Sequence, residues 1–391
     1  MGCRYFGSIA AVLFIACVGT AASAQQVFYG GVGFISWEDR AELFPQTSKL
    51  LCRGGSDCPH GNIDKMASPY FLDKPYEKFE LSRDLIGTRE VEGVIMAPMI
   101  ARESLGITKD VTAGKTSFIH VYRLFANLMF FEFGSGRFIS ARPVVIQYTD
   151  TLDQPASEAE QLAVFSDLVA NETRGENTFK RLYERAQTVN PFTFSDKFAR
   201  VTEVNIGESV EAIISNSVAT SAWRTQVGQI LEANLVEDTD APLIPSINQD
   251  QLNSELTAQF ASASYKIVLP DEIPFRIALD IRRFKKFESV KGRQKTVCHA
   301  VSTTLRVNGE LGELMNVRFS RTKKACGVVA LDQQLDDTFY FSTSLFSLLN
   351  QISKQFGDGP DKKFLKQASG KDPHAADHIR RVKKEVFHTG L

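Results

Sequence analysis

Neither sign of charge predominates in this chain: 45 lysines and arginines against 46 aspartates and glutamates leave a net charge of −1. That excludes a global field able to gather a polyanion or a polycation, and no nucleic-acid partner is expected. Tryptophan is nearly missing, with two residues, and histidine is scarce, with six. Few imidazoles are therefore on hand for acid–base or metal chemistry. After residue 24 no apolar run approaches the roughly twenty residues that a membrane-crossing helix needs.

Complete catalytic signatures are missing too. There is no Gly-x-Ser-x-Gly elbow. Gly114-Lys115-Thr116 ends like a phosphate-binding loop, but Lys109 stands where that loop needs its first glycine. Gly31-Val32-Gly33 follows a strand-like segment as a dinucleotide fingerprint would, yet Ser36 holds the third glycine position. Ser320-Arg321-Thr322-Lys323 fits the Ser-x-x-Lys of penicillin-recognising enzymes, but it sits at a strand end and no Lys-Thr-Gly strand accompanies it. His374 and His378 have a spacing that can place two imidazoles on one metal, but no third ligand is nearby and Ala375 stands where a metalloprotease needs Glu. His120, on an apolar strand, reads as a satisfied core residue; His299, beside Cys298, reads as facing solvent or a hydrogen-bond partner. No catalytic residue, cofactor or metal site is assigned.

What is present begins at the N-terminus. Arg4, the apolar run Ile9 to Val18 and the small residues Ala22-Ser23-Ala24 form the three parts of a secretory signal. Cleavage after Ala24 is the expected outcome, and the mature protein is placed in the periplasm or outside the cell. Phe14-Ile15-Ala16-Cys17 has the shape of a lipoprotein box, so a lipid-anchored outer-membrane form through Cys17 is the alternative. Beyond the leader four cysteines remain, and an even number in an exported chain reads as disulfides. The expected pairs are the nearest in sequence, Cys52 with Cys58 across a Gly-rich loop, and Cys298 with Cys326 flanking a hairpin. A metal site from Cys52, Cys58 and His60 lacks paired Cys-x-x-Cys ligands.

The length suggests two or three domains. Val27 to Ile35 reads as a strand, Asp39 to Leu51 as helical, and Met66 to Leu85 shows no clear period. Val91 to Ile100 reads as a strand broken by Pro98. Ser117 to Phe133 is a buried strand, and Arg137 to Tyr148 returns beside it after Gly134-Ser135-Gly136, with Pro143 marking an edge or bulge. A helix follows from Ser157, with Glu160 at capping-box spacing, and another near Thr178 to Gln187. In the second half Ala199 to Ile206 is strand-like, Glu208 to Leu235 has helical spacing, and Ser264 to Leu269 and Phe275 to Arg282 are strands. Thr296 to Val307 and Leu314 to Ser320 form a hairpin on an Asn308-Gly309 turn, and Gln334 to Phe356 is an apolar helix. The expectation is a mixed α+β protein, with antiparallel hairpin sheets packed by helices in domains 25–195 and 196–357 and a basic tail at 358–391. Both halves run hairpin then helix, which suggests an internal duplication.

Two features invite a partner. Arg282, Arg283, Lys285 and Lys286 are interleaved with Phe284 and Phe287, and Arg321, Lys323 and Lys324 approach them if Cys298 pairs with Cys326. Such a patch suits an acidic envelope protein, an anionic lipid or a polysaccharide; the plainer reading is a charged hairpin end that resists aggregation. In the tail Ile379, Val382, Val386 and Phe387 share one helix face amid basic residues, as in a helix lying on a membrane surface or a partner. The function expected is a non-enzymatic binding or assembly factor of the cell envelope, of unknown oligomeric state. A secreted hydrolase with unpatterned carboxylates and a structural subunit of an envelope assembly are the alternatives.

Overall fold

The computed structural model describes residues 26–52, 58–83, 93–112, 115–193, 197–215, 219–246, 255–321, 326–331, 333, 335–370 and 372–387. The leader with Cys17, and Lys323 and Lys324 of the basic patch, lie outside them.

The first half supplies β1 (Gln26–Tyr29), β2 (Gly33–Ile35), β3 (Glu80–Ser82) and three long strands, β4 (Val94–Thr112), β5 (Lys115–Glu132) and β6 (Phe138–Leu152). β5 lies antiparallel between β4 and β6, while β1 and β2 lie parallel to β4. Alternating side chains of β5 fill both faces, so it is buried continuously from His120 to Phe131. Pro98 does not break β4. It falls after the β1 ladder ends at Met96 and before the β2 ladder starts at Met99, a gap that asks for no ladder hydrogen bond on that side. Pro143 sits on β6, which pairs only with β5 and so leaves one edge free.

Helices α1 (Arg40–Leu43), α2 (Ile63–Phe71), α3 (Glu158–Ala170) and α4 (Thr178–Ala186) belong to this half. The helix expected over Asp39 to Leu51 is cut to α1 between two 3-10 turns, because Pro45 forces Phe44 out of helical geometry (φ −149°, ψ 61°). α2 lies in the stretch that showed no period. Asn62 caps it by accepting from the Asp64 and Lys65 amides, and Pro69 is carried in its last turn. The Ser157–Glu160 capping box opens α3 with both reciprocal bonds.

After β7 (Ala199–Ile206) the single helix expected over Glu208 to Leu235 is two, α5 (Glu208–Ile214) and α6 (Thr220–Thr239). Then β8 (Glu255–Gln259) and β9 (Ser264–Val268) join the first sheet through β2. Strands of that sheet therefore come from both sides of residue 196. β10 (Phe275–Lys291), β11 (Gln294–Gly309), β12 (Gly312–Arg321) and β13 (Cys326–Ala330) form a second sheet with β7, in the order β12-β11-β10-β7 and with β13 on β11. The β11–β12 turn is Glu310-Leu311 rather than Asn308-Gly309, since Gly309 pairs with Gly312 and Gly312 takes the positive φ of 123°. α7 (Asp337–Gly357), α8 (Lys362–Ala368) and α9 (Ala375–Val382), continued by a π-turn over Lys383–Phe387, close the chain.

Four layers result. α2 to α4 cover one face of the first sheet around Phe34, Tyr122, Phe130, Phe165 and Phe179. Its other face, with Met99, Phe125 and Met129, packs with α6, α7 and the inner face of the second sheet. The tail belongs to this core. Ile379, Val382, Val386 and Phe387, the face read as one for a membrane surface, are at most 5% exposed, and α9 rests on β12 and α7. Among the described residues no helix is long and apolar enough to cross a membrane.

Candidate partner-binding surface

The basic run is the far half of β10. Up to Ile281 the strand is sandwiched between β7 and β11. There β7 ends, and the register shifts between Ile281 and Arg283, leaving Arg282 as a bulge. Gly207 caps α5 against this point, donating its amide to Ile281; a Cβ at Gly207 would meet the Arg282 carbonyl oxygen at 2.7 Å. Beyond the bulge β10, β11 and β13 run on as a three-stranded ribbon.

The bulge decides which side chains face inward. Phe284 turns to the core and stacks on Phe341 of α7 with centroids 4.6 Å apart. Lys286 follows it on that face, 3.1 Å from both Asp337 and Glu288. Burial pulls its ammonium pKa down, but the bonds to these carboxylates outweigh that and hold it above its ordinary value. His299, opposite Lys286 in the ladder, donates Nε2–H to Asp337 Oδ1 at 2.9 Å and stacks on Tyr340. It is 2% exposed, so of the two expectations for it only the hydrogen-bond partner holds. Sequence reasoning could not couple these residues: Asp337 lies 38 positions from His299.

The opposite face is different. Arg283, Lys285 and Phe287 pair in register with Ser302, Ala300 and Cys298, and Cys298 pairs with Cys326. The Cys298–Cys326 disulfide fastens β13 to β11 here; the Cys52–Cys58 disulfide is also formed. Phe287 is 42% exposed and Val328 64%. Lys285 lies over the Phe287 ring at 4.8 Å. Arg282, Arg283 and Lys285 make no ion pair with any described residue. Arg321 is not with them. It ends β12 on the α7 side, in register with Val301 and so with Phe284, and donates to Ser347. The expected single patch is therefore split between two faces of the sheet.

Two other histidines are bonded inside the fold. His120 is fully buried; its Nε2 accepts from the Ala156 amide at 3.0 Å, so Nδ1 carries the proton it donates to the Phe118 carbonyl. His378 Nδ1 faces the Leu314 carbonyl at 3.3 Å. Among the described residues no cluster of three His, Cys, Asp or Glu could hold a metal.

The closest approach to a hydrolase constellation is Glu232 with Ser246. Ser246 Oγ lies 2.6 Å from both Glu232 Oε1 and the Val201 carbonyl, and both carboxyl oxygens accept from its amide at 3.0 Å. One hydroxyl proton cannot serve two acceptors. A protonated Glu232 donating to Oγ, with Oγ donating to Val201, satisfies every contact. Burial drives the Glu232 carboxyl in that direction, to about 7, against the opposing pull of Ser246 and Arg200. The void beside the pair is about 10 Å³, too small for a substrate.

No family model matches the chain, and no curated protein matches it. Among solved structures it is similar to protein XCC0632 from Xanthomonas campestris, of the family DUF330, at 10% identity over 41% of this chain and 79% of that one, with a TM-score of 0.22. That score is too low to establish a common fold.

Proposed function

We propose that this is an exported cell-envelope protein that binds an acidic partner protein on the outer face of its β10–β11–β13 ribbon and has no catalysis of its own. The observation carrying the reading is the juxtaposition of Arg283 and Lys285, without an ion pair among the described residues, with exposed Phe287 and Val328 around a disulfide. Apolar anchors ringed by charge are the usual anatomy of a protein-binding surface. Export is supported by the leader pattern of residues 1–24 and by two disulfides, which persist in oxidising compartments. Lipidation at Cys17 would tether the same molecule to a membrane.

The reading of halves 25–195 and 196–357 as copies of one unit is supported by their strand order. β1 lies parallel to β4 ahead of the antiparallel series β4-β5-β6, and β7 lies parallel to β10 ahead of β10-β11-β12. In both, the first long strand bulges where a parallel neighbour gives out, β2 beside Ala101 and β7 beside Arg282.

The test places a photocrosslinker at position 287 of the mature protein in native envelope. One discrete, acidic adduct is expected, lost at high salt and in Arg283→Glu/Lys285→Glu. Capture unchanged by the charge reversal, or no adduct, overturns the proposal.

A further inference from the structure

A second basic site lies on the α7 side of the same sheet, where Arg321 was separated from the rest of the run. The end of β12, the last turns of α7 and the whole of α8 enclose a cleft of about 880 Å³. That is the size range of small-molecule sites and far more than one inorganic ion fills. Arg321 lines it from β12, Lys354 from α7, and Lys363 and Lys366 from α8. Phe364, half-buried, gives it an apolar wall, and Leu348 lies buried behind it.

Lys354 acts on the Asp238 carboxylate from a distance, opposing the upward shift that burial gives it. None of the four cations is within ion-pair distance of a described carboxylate. Two carboxylates line the cleft, Asp358 and Asp361, and Asp361 is engaged in capping α8 by accepting from the Lys363 amide at 2.8 Å. Arg321 is the costliest group. One guanidinium nitrogen donates to Ser347, while Nε is buried without a hydrogen-bond partner among the described residues. Burial lowers its pKa with nothing to offset it. A guanidinium partly withdrawn from water without a counter-ion is stabilised by an anion that brings one.

We propose that this cleft binds an organic phosphate, its phosphate on Arg321 and the lysines and its less polar body along Phe364. Four cations against two carboxylates leave an excess of two positive charges, which matches a phosphate monoester of about −1.5 to −2 better than a single carboxylate. A planar guanidinium offers two parallel donors to such a group. The ligand is either a soluble sugar or glycerol phosphate or the headgroup of a phosphorylated lipid; both present the same chemistry.

The test uses the full mature chain in two arms. Calorimetric titration with glycerol 3-phosphate reads the soluble source. Co-flotation with vesicles of phosphatidic acid in phosphatidylcholine, against phosphatidylcholine alone, reads the lipid source. Saturable binding is expected in at least one arm, weakened about tenfold by Arg321→Gln and by Lys363→Gln/Lys366→Gln. The lysines are exposed, so their variant keeps the test readable if Arg321→Gln misfolds. Arg283→Glu/Lys285→Glu is expected to leave this binding unchanged, which separates the cleft from the ribbon. Binding in neither arm, equal binding of acetate, or binding indifferent to the lysine variant overturns the proposal.

Discussion

The two long hairpins of this molecule start alike and end differently. Past Ala101 the β4–β5 hairpin leaves its parallel neighbour behind, as the β10–β11 hairpin does past Arg282. On the first hairpin Arg102, Glu103 and Arg123 are buried. Glu103 accepts the Gln46 and Thr47 amides at 2.6 and 2.8 Å, and Arg123 donates to Gln147 and lies over the Phe346 ring of α7 at 5.0 Å. Its far part is tied down by Thr108 to Asp336 and Asp110 to Gln333. The second hairpin carries seven basic residues and one acidic residue between 282 and 297. Of these Lys286 is bonded inward while Arg283 and Lys285 are not. The same architecture thus serves once as a strut inside the protein and once as a projecting surface, and the difference lies in what the side chains beyond the bulge are bonded to.

The heaviest blow to this contrast is at the root of the second hairpin. Phe341→Ala removes a ring 1% exposed that holds Phe284 and meets His299 edge-on at 4.8 Å. A loss of about 3–5 kcal/mol in urea unfolding is expected; a loss under about 1 kcal/mol would show that the ribbon is not anchored there. Next is Cys298→Ser/Cys326→Ser, which opens a loop with a sequence separation of 28. It is expected to cost about 2–4 kcal/mol and to raise amide exchange in β13 while leaving β4 and β5 unchanged.

The layer between the sheets carries a pH signature of its own. The Glu232 carboxyl is raised from 4.5 to about 7, so between those values the native state keeps a proton that the unfolded chain releases. Stability therefore falls as pH rises through this window, by about 3 kcal/mol in all. Glu232→Gln is expected to flatten that slope in unfolding midpoints measured from pH 4.5 to 7.5. An unchanged slope would assign the titration elsewhere.

The smallest effects sharpen the contrast most directly. On the first hairpin Glu103→Ala strands the buried amides of Gln46 and Thr47 and is expected to cost about 1–3 kcal/mol. Lys285→Ala on the second is expected to change stability by less than about 0.5 kcal/mol. Comparable values in the same denaturation experiment would erase the distinction between strut and surface.

Local chemistry was legible from sequence where its partners were close in the chain. The Ser157–Glu160 box, the bounds of β7 and both cysteine pairings depend on short spacings or on one hairpin. What could not be read depends on which strand lies beside which. Pro98 is tolerated because of where β1 stops (Tyr29) and β2 starts (Gly33), 65 and more residues away. Arg321 is parted from Arg283 by strand parity across β11, set by a bulge that no residue pattern announces. The cluster of Lys286, His299 and Asp337 joins three elements distant in sequence.

The pairing of β8 with β2 fixes a timetable. Ile35 cannot meet Ala258 until more than two hundred further residues have left the ribosome. A nascent chain ending anywhere before β8 holds β2 with one flank bare and a greasy edge at Phe34. Contacts of such long reach form late, so a chaperone that shields the waiting edge would be of most use in that interval.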